Sequence, residues 1–125
     1  MIEKNWTKHS DFFHQADVTA VAGSTTEIFS YKLRSTLALK IKALGNYVGS
    51  VAAWGNLTWQ LCCNDIPIEP FTAQKSQIGQ AGIPQEVTMD FIFPPASLLS
   101  VKLINSSGVD YVGGIVLKGE HGLET

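Results

Sequence analysis

A period of two runs through most of this sequence. From about residue 17, short alternations of apolar and polar residues are cut by turn-forming residues about every eight to twelve positions, which is the pattern of a β-sandwich or barrel. A helix needs apolar residues recurring three and four apart over roughly ten or more positions. No segment offers that.

The alternations assign faces. Phe29, Tyr31 and Leu33 share one side of a strand, and Ser30 and Lys32 share the other. Leu37, Leu39, Ile41 and Ala43 are expected to point inward on the next strand, with Lys40 and Lys42 outward. Gly45-Asn46 then reads as a two-residue turn, with a further strand over residues 47–54. Leu57, Trp59, Leu61 and Cys63 alternate with Asn56, Thr58 and Gln60 up to a turn at Asn64-Asp65. The prolines of Ile66-Pro67-Ile68-Glu69-Pro70 restrict any strand there to an edge. Val87, Met89, Phe91 and Phe93 form another inward row, and Leu99, Val101 and Leu103 the next. Tyr111, Ile115 and Leu117 mark the last strand, where Gly113-Gly114 predicts a bulge or a close backbone approach. About eight such strands joined by tight turns predict an all-β, antiparallel two-sheet sandwich of the jelly-roll type. An immunoglobulin-like sandwich is the second reading, but the Cys…Trp…Cys spacing it often shows is missing.

Residues 1–16 read differently. They hold Trp6, Phe12, Phe13, His9 and His14 without a clean alternation and without Gly or Pro. The expected organisation is an extended N-terminal arm over 1–16, a sandwich over 17–120 and a C-terminal tail over 121–125. Three large aromatics on a free segment would be an aggregation liability, so they either fold back or dock on another chain, for instance by adding a strand to a sheet edge. Trp6, Phe12 and Phe13 are therefore candidate interface anchors, and Trp54, beside Gly55, is a fourth. The long stretch over residues 70–85 is a further candidate contact with a neighbouring subunit.

Nothing in the sequence assembles a catalytic or metal-binding set. All three histidines, His9, His14 and His121, fall outside the expected sandwich, so a cupin-like metal site is not expected. The carboxylate pairs Glu86 with Asp90 and Asp65 with Glu69 fall at turns or on outward faces. No serine sits in a nucleophile elbow, and Cys62 and Cys63 are adjacent, which rules out zinc-ligand spacing. The expectation is a non-enzyme with no catalytic residues, cofactor or metal. A net charge of -2 argues against nucleic acid as a partner. No apolar run approaches the ~20 residues of a membrane span, and the first residues lack the apolar core of a signal peptide. Two cysteines do not form a disulfide framework and are read as reduced, with folding inside a cell. Charged residues make up only 16% of the chain against a usual ~25%, which hints at surface covered by a partner.

The layout resembles that of jelly-roll capsid decoration, or cement, proteins of tailed bacteriophages. The resembling stretches are the strand of residues 25–33, Trp54-Gly55-Asn56-Leu57-Thr58-Trp59 followed by Asn64-Asp65-Ile66-Pro67-Ile68, and the close Asn105-Ser106-Ser107, Tyr111-Val112-Gly113-Gly114 and Lys118-Gly119-Glu120. The resemblance covers about residues 20 to 120. It implies a homo-oligomer, dimer or trimer, bound to a major capsid or other virion protein on the capsid exterior after folding in the host cytoplasm. The alternative is a receptor- or carbohydrate-binding head of a phage fibre or tail.

Overall fold

A computed structural model describes residues 5–53, 55–68, 74–75 and 85–124. Its strands pair in nested fashion from the middle of the chain outward. Asn64 and Asp65 both take positive φ angles, 51° and 65°, as a two-residue hairpin turn requires, and they join β4 (Leu57–Cys63) to β5 (Ile66–Pro67). The two-residue β6 (Gln74–Lys75) also pairs with β4. The next pair outward is β3 (Ala38–Val48) with β7 (Gln85–Phe93), then β2 (Thr25–Lys32) with β8 (Leu98–Asn105). The outermost is β1 (Trp6–Ala20) with β9 (Tyr111–Glu124). This long antiparallel hairpin is rolled so that β3 also pairs with β9 and β4 with β8. Two sheets result, β1-β9-β3-β7 and β2-β8-β4-β5. That is the jelly-roll winding.

The inward rows meet between the sheets. Leu57, Trp59 and Leu61 of β4, Leu99, Val101 and Leu103 of β8, and Ile115 and Leu117 of β9 are all buried. Phe93 is buried with them, and Phe91 and Tyr111 pack against the cluster. The side chains of Val87 and Met89 lie outside the described residues. Trp59 brings a polar N–H into this apolar layer, and its Nε1 donates to the Gly114 carbonyl at 3.0 Å. Asn105, also buried, is satisfied from both ends. Its Nδ2 donates to the Ala20 and Val109 carbonyls, and its Oδ1 accepts from the Ser107 amide and hydroxyl.

Three boundaries differ from the sequence reading. Residues 6–16, expected as an arm, belong to the edge strand β1. Its inward row is Phe12, His14, Ala16, Val18 and Ala20, whose weak apolar character hides the alternation. A bulge between Lys8 and Ser10 shifts the phase as well, and puts Trp6 on the opposite face from Phe12. Residues 121–124, expected as a tail, complete β9. Gly45-Asn46 is no turn but lies inside β3. A bulge between Ile41 and Ala43 turns Ala43 outward, opposite Lys118, and brings Leu44, Asn46 and Val48 inward. The chain reverses later, through a short 3-10 turn at Val51–Ala53 and Gly55 at φ 87°.

The two adjacent thiols are both free. Cys63 lies in the inward row of β4 and is half-buried, while Cys62, on the other side of the strand, is fully buried and its thiol is pushed up by that burial.

Close approach, the second option read from Gly113-Gly114, is what β9 uses. A Cβ on Gly113 would stand 2.7 Å from Leu103 Cδ2, and one on Gly114 would enter the Tyr47 ring. Gly119 is tighter, because its Cβ would collide with the Lys40 carbonyl, which belongs to the paired backbone of β3 and cannot swing away. Gly119→Ala is expected to cost about 3 kcal/mol or more in urea denaturation, at the upper end for overpacking. Gly108→Ala, with open space around it, should stay within about 0.5 kcal/mol.

Candidate functional site

Two features of the first sheet stand out, its outward face and its inner edge. On the outward face β1 places Trp6, Asp11 and Phe13 beside Glu120 and Lys118 of β9. Trp6 lies over Gly122, where a side chain would displace its ring, and its Nε1 donates to Glu120 Oε1 at 2.7 Å. Lys40 Nζ stands 4.6 Å from the Trp6 ring centroid, and Lys42 Nζ is 3.6 Å from Glu120 Oε2. Tyr47 covers Gly114 in the same way and donates from its hydroxyl to Asp17 Oδ2 at 3.1 Å. Partial burial raises the tyrosine's pKa. Both rings are therefore laid flat and fixed. Phe13 is not covered. It is 59% exposed, with Lys118 Nζ 6.0 Å from its ring.

Phe12 faces the other way, into the seam between the two edge strands β1 and β2. Its ring stacks at 5.7 Å on Tyr31 and meets His121 edge-on at 5.6 Å. One step along, His14 stacks on Phe29 at 3.8 Å. The Tyr31 hydroxyl and His121 Nε2 are hydrogen-bonded at 3.1 Å. The four sequence candidates thus separate. Trp6 and Phe13 share the outward face, Phe12 is an inner packing residue, and Trp54 lies outside the described residues. Most of the 70–85 stretch lies outside them too.

The seam opens into a cavity of about 340 Å³ lined by His9, Ser10, Asp11, Tyr31, Arg34, Leu37 and His121. His9, His14 and His121, expected outside the sandwich, all sit on strands of its body, His9 and His14 on β1 and His121 on β9. Among the described residues no three His, Cys, Asp or Glu side chains gather to hold a metal ion. Of the carboxylates considered from sequence, Asp65 pairs loosely with Lys102 at 3.8 Å and Asp90 is exposed. Asp11 is held by Lys8 at 2.6 Å, which lowers the carboxyl pKa and raises that of the ammonium. Arg34, by contrast, has no carboxylate partner among the described residues.

Burial, and then the positive charges of Arg34 and His9, lower the pKa of His121 from 6.5. The unfolded chain therefore takes up this proton at higher pH than the folded one. The contribution to stability is full above pH 6.5 and is lost as the pH falls through 6.5 toward the folded value. Melting temperature is expected to drop from neutral pH to pH ~5, and His121→Gln should flatten part of that slope. An unchanged slope in the variant would mean that His121 does not supply it.

The sequence offered one signal for this cavity, the alternation Ser10, Phe12, His14, which a bulge and a histidine disguised. Arg34 lies on the β2–β3 connection, where no periodicity applies. Its carbonyl accepts from the Ala96 amide at 2.9 Å, and Leu33 N donates to Ser97 O at 2.9 Å, so the connection is stapled to the turn before β8. Comparison with protein-family models and with curated proteins finds no match.

Proposed function

We propose that this chain is a non-catalytic structural domain that docks on another protein through the outward face of the β1-β9-β3-β7 sheet. Following the resemblance to decoration proteins, the proposed partner is the capsid shell of a tailed phage. The observation that carries the reading is Phe13, a large ring 59% exposed on a sheet face. On the same sheet face Trp6 is pinned over Gly122 by Glu120 and Lys40, and Tyr47 over Gly114 by Asp17, so these rings have little side-chain entropy left to lose on docking. Aromatic groups on a rigid surface are the usual anchors of protein interfaces.

Phe13→Asp is the direct test, because the side chain is exposed and its loss should leave folding intact. Removing about 1.5–3 kcal/mol of ring burial should weaken co-sedimentation with empty shells at least tenfold. Wild-type binding by a folded variant sinks this reading. A receptor- or carbohydrate-binding head is the second reading, and the polar cavity beside Tyr31 is the observation that favours it.

A further inference from the structure

We propose that the cavity at the mouth of the β1–β2 seam binds a carboxylated sugar ring, with Arg34 gripping the carboxylate and Ser10 and Tyr31 meeting the ring hydroxyls. The volume, about 340 Å³, is at the lower end of small-molecule sites and suits a single ring. The charge of the lining selects the ligand. Arg34 contributes a full positive charge with no carboxylate against it among the described residues, and a guanidinium matches a carboxylate through two parallel hydrogen bonds. The acid in the lining, Asp11, is already neutralised by Lys8. Arg34 and His9 both lie close enough to His121 to oppose its protonation. Three cationic or protonatable groups converging on one hollow, with no anion left over, describe a site that an anion completes.

The walls argue for a sugar acid over a bare oxyanion. Tyr31 is one side of a ring cluster with Phe12 and His121, and supplies an apolar face beside its hydroxyl. Leu37 adds a second apolar surface. The backbone of the lining is fixed by β1–β9 pairing on one side and by the stapled β2–β3 connection on the other. The site is independent of the docking role of the outward sheet face; it deepens the second reading, a carbohydrate-binding head, and rests on the same cavity.

Binding also has a proton signature. His121 meets Tyr31 from β2, and the charges that act on it are Arg34 from the β2–β3 connection and His9 from β1; the exposed Lys8–Asp11 pair stands at the rim, and its neighbours in β3 carry no titratable side chain at Ala38 and Leu39. A bound carboxylate offsets the repulsion from Arg34 and His9, so His121 holds its proton to higher pH in the complex and affinity rises as the pH falls.

The test is NMR titration of the intact protein with glucuronate, N-acetylneuraminate, glucose and inorganic phosphate, following the ring protons of His121 and Tyr31. The expected result is saturable shifts with at least one sugar acid. Glucose should bind at least tenfold more weakly, the titration midpoint of His121 should move upward in the complex, and Arg34→Gln should lose the binding while retaining a folded spectrum. Attachment to a longer glycan would show as tighter binding of an acidic oligosaccharide than of the free monosaccharide, with the same dependence on Arg34. Equal shifts with glucose and glucuronate overturn the proposal, as do shifts with phosphate alone or no shifts at millimolar ligand. Binding that survives Arg34→Gln overturns the assigned carboxylate grip.

Discussion

Deleting residues 1–16 is expected to abolish folding, leaving a far-ultraviolet spectrum without the β minimum and no cooperative thermal transition. The deletion removes β1 from Trp6 to Ala16 and strips the pairing of those residues with β9. It takes away the Phe12 and His14 rings that cover Tyr31, Phe29 and His121, and exposes the backbone donors and acceptors of a strand that is central in its sheet. A domain with a total stability of about 5–15 kcal/mol cannot absorb losses of that kind. The sequence, read as an arm attached to a complete body, implies the opposite result. A truncated chain with a β spectrum and a sharp melt would show that β9 tolerates an open edge.

Trp59→Ala is the largest point effect expected. Trp59 is 1% exposed at the centre of the inner layer and approaches the Gly113 Cα face closely. Truncating a buried aromatic costs about 3–5 kcal/mol, and the Gly114 carbonyl loses its indole donor in addition. Trp59→Phe keeps most of the packing and removes the indole donor from that carbonyl, so its cost should be smaller, about 1–3 kcal/mol. Lys40→Ala, on the outward face above Trp6, should cost no more than about 1 kcal/mol, the scale of an exposed cation–π contact. Urea midpoints for the three variants settle the order. Lys40→Ala as the most damaging would mean that the strand faces are inverted.

The central strands β4 and β8 were legible because their inward rows are made of Leu, Val and Trp, with polar residues between most of them. Leu57, Trp59 and Leu61 and the row Leu99, Val101, Leu103 are buried as read. The edge strand was not legible. An edge strand buries one face incompletely, so His14 and Ala16 suffice where a central strand uses Leu or Ile. Bulges did the rest. A single extra residue near His9 and another near Lys42 reverse the face of the strand beyond them, which breaks the alternation in the sequence. Gly45-Asn46 has turn chemistry, but the tertiary pairing of β3 with both β7 and β9 overrides it. The cavity escaped for a related reason. Its residues come from a bulge, a connection and the far end of the chain, and only the sheet pairing brings them together.

The nested pairing of strands also sets an order in time. On a ribosome, among the described strands, β4 can close with β5 and then β6 soon after it is made, while β3 waits for β7, β2 for β8, and β1 for β9. Of the described strands, β1 is made before the others and is the last to find its partner, as Trp6 pairs across from Glu124. At roughly 5–20 residues per second the nascent chain carries its first aromatic strand unpaired for something on the order of ten seconds. Non-local pairing of this kind folds slowly even in the released chain. Trp6, Phe12 and Phe13 are then apolar groups without a sheet to cover them, open to association with other chains.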